Sequence, residues 1–100
     1  MLQSEQEKVS LAQELDAIRS KAAPLATRRD RAACEALSVL ELLAHKLLTS
    51  PGKQVPVLTP AGLAAERLRD AGERFAEVAA ELEDFVSRQR ARSYLRGGAP

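Results

Sequence analysis

Residues 61–85 read AGLAAERLRDAGERFAEVAAELEDF. Within them Ala61, Ala64, Leu68, Ala71, Phe75, Val78, Leu82 and Phe85 recur in steps of three and four. That spacing puts every one of them on a single stripe of an α-helix. A stripe of this kind must be covered by another apolar surface, so the stretch predicts a helical bundle or a coiled-coil-like assembly. Gly72 and Ala79 beside the seam allow a close helix approach, and Val86 widens the seam into a bundle face. Thr59-Pro60 ahead of the stretch reads as an N-cap followed by a first-turn proline, and Gly97-Gly98 closes it. The expected element is one helix over about 60–96, near 50 Å long at a rise of ~1.5 Å per residue.

Upstream, Ser50-Pro51-Gly52 is a helix stop, because glycine accepts a left-handed cap and proline cannot continue the helix. The run Ala36-Leu37-Ser38-Val39-Leu40-Glu41-Leu42-Leu43-Ala44-His45-Lys46-Leu47-Leu48 leads up to it. At about 100° per residue, Ser38, Glu41, His45 and Lys46 fall in a polar strip about 140° wide, and the remaining arc is apolar. One neighbouring helix cannot cover so wide an arc. This second helix, expected over about 25–49, is therefore the central element, touching two neighbours in the chain or one neighbour and a second chain. Residues 50–59 read as an extended loop. Val55, Val57 and Leu58 alternate around Pro56, but no other strand-like run exists to pair with them. Their side chains are expected to lie over the bundle end.

At the N-terminus, Ser4-Glu5-Gln6-Glu7 has the form of a capping box. Leu11, Leu15, Ile18 and Ala22 follow at helical spacing, flanked by Val9 and Ala12, which predicts a first helix over about 5–21. Pro24 lacks an N–H, crowds the carbonyl of Ser20 and pushes Ala23 out of the helical region. Thr27-Arg28-Arg29-Asp30 offers a second capping box. The stripe still runs in phase from Ala22 to Leu25, so a break and a kink both remain open. The expected fold is all-α and occupies residues 1–100 as a single helical domain. It is a three-helix antiparallel bundle, or two long helices with the first kinked near Pro24, and oligomeric in either form. The expected core is Leu11, Leu15, Ile18, Leu37, Leu40, Leu43, Leu47, Leu68, Phe75, Val78, Leu82 and Phe85.

The chain has 100 residues, an ordinary size for one domain. Its 15 Lys and Arg against 14 Asp and Glu leave a net charge of +1, too near neutral for charge alone to indicate nucleic acid or membrane. The aromatic residues are Phe75, Phe85 and Tyr94, little material for stacking bases. The lone cysteine, Cys34, has no internal disulfide partner, which fits a reducing compartment. The polar N-terminus with early acids is unlike a secretory signal, and Ala36–Leu48 is too short and too polar to span a bilayer. The expected location is cytoplasmic. The Ala-, Arg- and Leu-rich composition suggests, by association, a bacterial or phage origin.

Chemistry-bearing residues are few. His45, the single histidine, stands in Leu42-Leu43-Ala44-His45-Lys46-Leu47-Leu48 on the polar strip. This resembles the helix motif around the phosphoacceptor histidine of histidine kinases and phosphotransfer domains. The resemblance implies a phosphoacceptor or dimerisation role for His45. It departs from those families where Lys46 replaces the acid that follows the histidine in kinases and Leu48-Thr49 replaces the Lys-Gly of phosphotransfer domains. The bland alternative is an exposed histidine near a helix C-terminus, where the dipole favours a cation. Cys34 stands 11 residues from His45, about 16 Å along one helix, so that base cannot activate it within one chain. Carboxylates at i,i+4, such as Glu66–Asp70, Glu73–Glu77 and Glu77–Glu81, lie off the apolar seam among arginines and read as a solvated face. A zinc set, a di-iron Glu-x-x-His pattern and a phosphate-cradling glycine loop are all missing from the sequence, so no catalytic residue, cofactor, metal or small-molecule substrate is expected.

Two basic groups stand out: Arg28, Arg29 and Arg31 before or within the second helix, and Arg88, Arg90, Arg92 and Arg96 at the end of the third. They are either dipole-complementing solubility charges or contacts for phosphate or an acidic partner. The expected function is that of a small non-catalytic interaction or assembly protein burying helix faces against another chain, a homodimer mate or a different partner. Its contacts would be Val39, Leu42, Leu43, Leu47, Phe75, Val78, Leu82 and Phe85. Nucleic-acid association through the basic end of helix 3 is the alternative, and phosphotransfer at His45 a remote one.

Overall fold

Gly72 divides the stretch that periodicity reads as one helix. Its backbone takes φ 120° and ψ 179°, a region essentially confined to glycine, and the chain folds back there. The computed structural model describes residues 3–96, with side chains as far as residue 92. It contains four helices: α1, Glu5–Ala22; α2, Arg31–Thr49; α3, Leu58–Ala71; and α4, Ala76–Arg96. The short 3₁₀ turns Ala23–Leu25 and Glu73–Phe75 follow α1 and precede α4. No strand occurs among the described residues. The expected three-helix bundle, and its variant of two long helices kinked near Pro24, are both incorrect: the fold is all-α but four-helical.

The fold-back is fastened by Arg69, which donates to both carboxylate oxygens of Glu83 at 2.6 and 2.9 Å. On an unbroken helix these residues would stand about 21 Å apart along the axis. The molecule's longest dimension, 42 Å, is likewise too short for the single helix that the sequence suggests. Periodicity misses the break because the turn preserves the spacing. Gly72 N–H donates to the Arg69 carbonyl at 3.2 Å and Phe75 N–H to the Gly72 carbonyl at 3.1 Å. That compact turn leaves Phe75 seven residues after Leu68 and still facing the core. Folding back lets the two halves of the stripe share one core, whereas a straight helix would leave part of it in water, at about 25 cal/mol per Å² of apolar surface.

Pro24 sits in the 3₁₀ turn after α1, so the chain breaks there and α2 begins only at Arg31. Ser4 caps α1, its hydroxyl accepting the Glu7 N–H at 3.0 Å. The Thr27–Asp30 pair forms, but one turn ahead of the helix: the Asp30 carboxylate accepts the Thr27 N–H at 2.9 Å and hydroxyl at 3.1 Å. Asp30 then precedes α2 without a side-chain cap of its own. α3 starts at Leu58 rather than at Pro60, its first bond running from Ala61 N–H to the Val57 carbonyl at 3.0 Å. Pro60 is tolerated in this first turn because the N–H groups there have no intrahelical acceptor.

Successive helices run antiparallel. Lys8 near the start of α1 meets Ser50 after α2, Glu35 early in α2 meets Arg67 late in α3, and α1 and α4 pair through Lys21–Glu81 and Glu14–Arg88. α2 packs between α1 and α3, and the α1–α4 contact that closes the ring is the slightest. The core takes Leu11, Leu15, Ile18 and Ala22 from α1, and Ala33, Ala36, Leu40, Leu43 and Leu47 from α2. α3 gives Ala61, Ala64, Ala65 and Leu68, and the chain from Phe75 to Val86 gives the two phenylalanines, Val78, Ala79, Leu82 and Val86. Val55 and Val57 of the loop are buried with them. Of the expected core, Leu37 alone is half-buried; the rest are buried.

Candidate functional site

The residues that the sequence offers as partner contacts separate into two groups. Leu43, Leu47, Phe75, Val78, Leu82 and Phe85 are at most 5% exposed and form the chain's own core. Leu42, by contrast, is 54% exposed on the outer side of α2, and Val39 is half-buried beside it. A stripe that covers a neighbour in the same chain and one that covers a partner have the same chemistry, so the sequence cannot separate them. The extra turn at Gly72 does, because it supplies an internal helix for each face.

Val39 opens onto a shallow groove of 450 Å³ between α2 and α3. Its walls are largely apolar and include Cys34, Leu63 and the stems of Arg31 and Arg67. Glu35 and Arg67 form an ion pair at 3.4 Å across it. With α2 and α3 antiparallel, that register sets Val39 opposite Leu63 and carries Leu42 one turn further along the same side. Leu63 is 42% exposed. It lies off the 3–4 stripe, flanked by Gly62, Glu66 and Asp70, and a leucine at such a position was the available signal for this face. Leu48 and Val9 are exposed as well, but Leu48 points to the opposite side of α2 from Val39, nine residues away.

Compared with protein families, curated proteins and solved structures, the chain matches none.

The other grooves carry balanced charge. The α1–α4 cleft, 830 Å³, is lined by Glu7 and Glu14 together with Arg88 and Arg92. Arg88 is held by Glu14 at 2.9 Å and by Asp84 at 2.9 Å, which raise its guanidinium above its ordinary value. In the α3–α4 seam, the hydrogen bonds from Arg69 hold Glu83 below the usual carboxylate range. Arg28, Arg29 and Arg31 are exposed at the end where Arg74 meets Asp30. Arg90 and Arg92 are exposed on α4, roughly 24 Å or more beyond Arg74 along the helix axis. The two basic groups thus occupy opposite ends of the bundle and do not merge into one stripe; the Arg96 side chain lies outside the described residues.

His45 is exposed on α2, its carbonyl accepting the Thr49 hydroxyl at 2.8 Å. Cys34 is half-buried, its Sγ 3.5 Å from the Thr27 carbonyl. The described residues contain no cluster of three or more His, Cys, Asp or Glu side chains arranged to hold a metal ion. None of the described helices is long and apolar enough to cross a membrane.

Beyond the Thr27–Asp30 pairing itself, the tertiary partners in two polar constellations went unread in the sequence. Asp30 gathers the Thr27 N–H, the Thr27 hydroxyl and the Arg74 guanidinium, joining the α1–α2 and α3–α4 turns. The Thr27 backbone bond, with Arg74 adding to it, holds the carboxyl below its ordinary value. Arg74 also lies 5.4 Å from the centroid of the buried Phe75 ring, within cation–π range. At the other end, Gln3 exchanges two hydrogen bonds with the Val55 backbone, 2.7 and 3.0 Å. Beside it Lys8 donates to the Ser50 carbonyl at 2.6 Å. These side chains fasten the α2–α3 connection to α1.

Proposed function

We propose that the chain is a small non-catalytic protein-interaction module that engages another protein chain through the α2–α3 face. The observation supporting this reading is the exposure of Leu63 on the rim of an apolar groove, with Leu42 exposed about one helical turn beyond the groove's Val39. Ion pairs bridge the α1–α4 and α3–α4 seams as Glu35–Arg67 bridges the groove, but those seams carry charged rather than apolar walls. A helix laid along the groove would remove these leucines from water, the helix-in-groove mode of recognition. The mechanism is burial of apolar area with charges at the rim, and it asks no chemistry of His45 or Cys34.

The test is a Leu42→Ser, Leu63→Ser double variant. Both positions are exposed, so the thermal midpoint should stay within a few degrees of wild type. Association measured by light scattering and by co-purification should be lost. Retention of every association by the double variant would remove the α2–α3 face from consideration. Binding that instead collapses steeply with added salt would indicate phosphate-backbone contacts, because counterion release gives nucleic-acid complexes that signature.

A further inference from the structure

We infer that the start of α1 is a clasp on the α2–α3 connection: residues 3–8 and residues 50–57 open and close as one unit while the rest of the bundle stays folded. The connection, residues 50–57, has no helix or strand of its own. Side chains at the start of α1 hold it instead, each on a backbone group. Gln3 accepts the Val55 N–H at 2.7 Å and donates to the Val55 carbonyl at 3.0 Å. Glu5 accepts the Gly52 N–H at 3.4 Å. Lys8 donates to the Ser50 carbonyl at 2.6 Å.

Neither side of the clasp can leave alone. Lys8 is 1% exposed, and a buried ammonium that loses its acceptor carries a heavy desolvation cost. Glu5, 3.5 Å from that ammonium, has a side chain 62% exposed and too well solvated to take the carbonyl's place. When the connection lifts off, Lys8 must follow it into water, and the first two turns of α1 unwind. Conversely, Val55 is 5% exposed. Once Gln3 departs, its N–H and carbonyl lose the bonds that let it stay buried. Little apolar burial resists this opening. The connection buries Val55 and Val57, while residues 51–54 and 4–6 are exposed. The helical core from Leu11 onward is untouched, so the opening requires less free energy than global unfolding. A binder that holds residues 3–8 away from the bundle exposes Val55 and Val57. One that grips the open connection releases the start of α1, because linkage is reciprocal. The clasp does not depend on what the α2–α3 face binds.

Amide hydrogen exchange of the full chain, followed by NMR where the rate reports the opening equilibrium, tests the clasp. The Lys8 N–H is bonded to the Ser4 carbonyl and the Val55 N–H to Gln3. The two should share one opening constant, roughly tenfold or more above those of Leu40 and Leu82 in the core. Ser4→Ala removes the cap of α1, a hydroxyl bonded to the Glu7 N–H and not to the connection. It should speed the Lys8 and Val55 amides by the same factor, about fivefold. Val57→Ala, at the far end of the connection, should likewise speed the Lys8 amide as much as the Val55 amide. If Ser4→Ala accelerates Lys8 and leaves Val55 unchanged, the two segments open independently and the clasp is overturned. It is overturned equally if both amides exchange no faster than those of Leu40 and Leu82, since the unit then opens only with the whole bundle.

Discussion

Lys8 is the single charged side chain buried among the described residues, 1% exposed. Its place is readable after the fact, because 8, 11, 15, 18 and 22 continue one 3–4 series on α1. A lysine is tolerated there because its ammonium reaches the Ser50 carbonyl at the C-terminal end of α2, where backbone acceptors are unpaired and the helix dipole favours a cation. Glu5 stands 3.5 Å from the same ammonium. Lys8→Met keeps most of the packing and strips this charge-assisted bond, leaving the carbonyl with the Lys53 N–H at 3.2 Å as its donor. It should cost about 1–3 kcal/mol in urea unfolding, and Lys8→Ala more because a cavity is added. Asp30 supplies a pH signature. Its carboxyl is held below the ordinary 3.8 by the Thr27 N–H, with the Thr27 hydroxyl and Arg74 adding to it. A depressed folded value means that its stabilising contribution is complete above the unfolded value and is lost as pH falls through the folded one. Glu83 acts in the same sense below its ordinary 4.5. Thermal midpoints should therefore drop as pH is lowered below about 4.5, and Asp30→Asn should flatten that acid limb while lowering the midpoint at neutral pH.

At the scale of the element, the decisive position is Gly72. A Cβ built there meets nothing within 4 Å, so space does not explain the glycine; φ 120° does. Gly72→Ala should cost about 1–3 kcal/mol through backbone strain, read as a lower urea midpoint with an unchanged m-value. The helix-forming preference of alanine works in the same direction, since it favours continuing α3 across the turn. Elements with a local signal were open to sequence reading: the Ser4 cap, the proline after α1 and the Ser50-Pro51-Gly52 stop. The hairpin between α3 and α4 was hidden because its turn occupies about one helical repeat and leaves the apolar register intact. Gly72 just after Arg69 in a last helical turn was a C-terminal signal outweighed by an uninterrupted stripe.

Across the whole molecule, each helix packs against the next in sequence, so most contacts are local in the chain. Stopped-flow or temperature-jump refolding should show a single phase on the order of milliseconds or faster. The fully buried Phe85 joins α4 to the shared core. Phe85→Ala should cost about 3–5 kcal/mol, a large part of the ~5–15 kcal/mol that holds a domain folded, and guanidinium unfolding measures it. The candidate face is also a whole-molecule property. Leu42 and Leu43 are neighbours in sequence, yet one is 54% exposed and the other 3%. Leu43 is covered because α2 has a neighbour on each side, and Leu42 points between and away from them.

The order of polar and apolar side chains was enough to specify an all-helical chain, most of the large side chains in its core and several of its helix ends. Those features come from forces acting within a turn or two: backbone hydrogen bonding, caps and the period of the helix. The number of helices was decided only when the chain folded back at Gly72, and the burial of Lys8 and the identity of the exposed leucines only when the helices packed. They depend on which surfaces meet at long sequence separation, and a periodic stripe records that a side chain must be covered without recording by what.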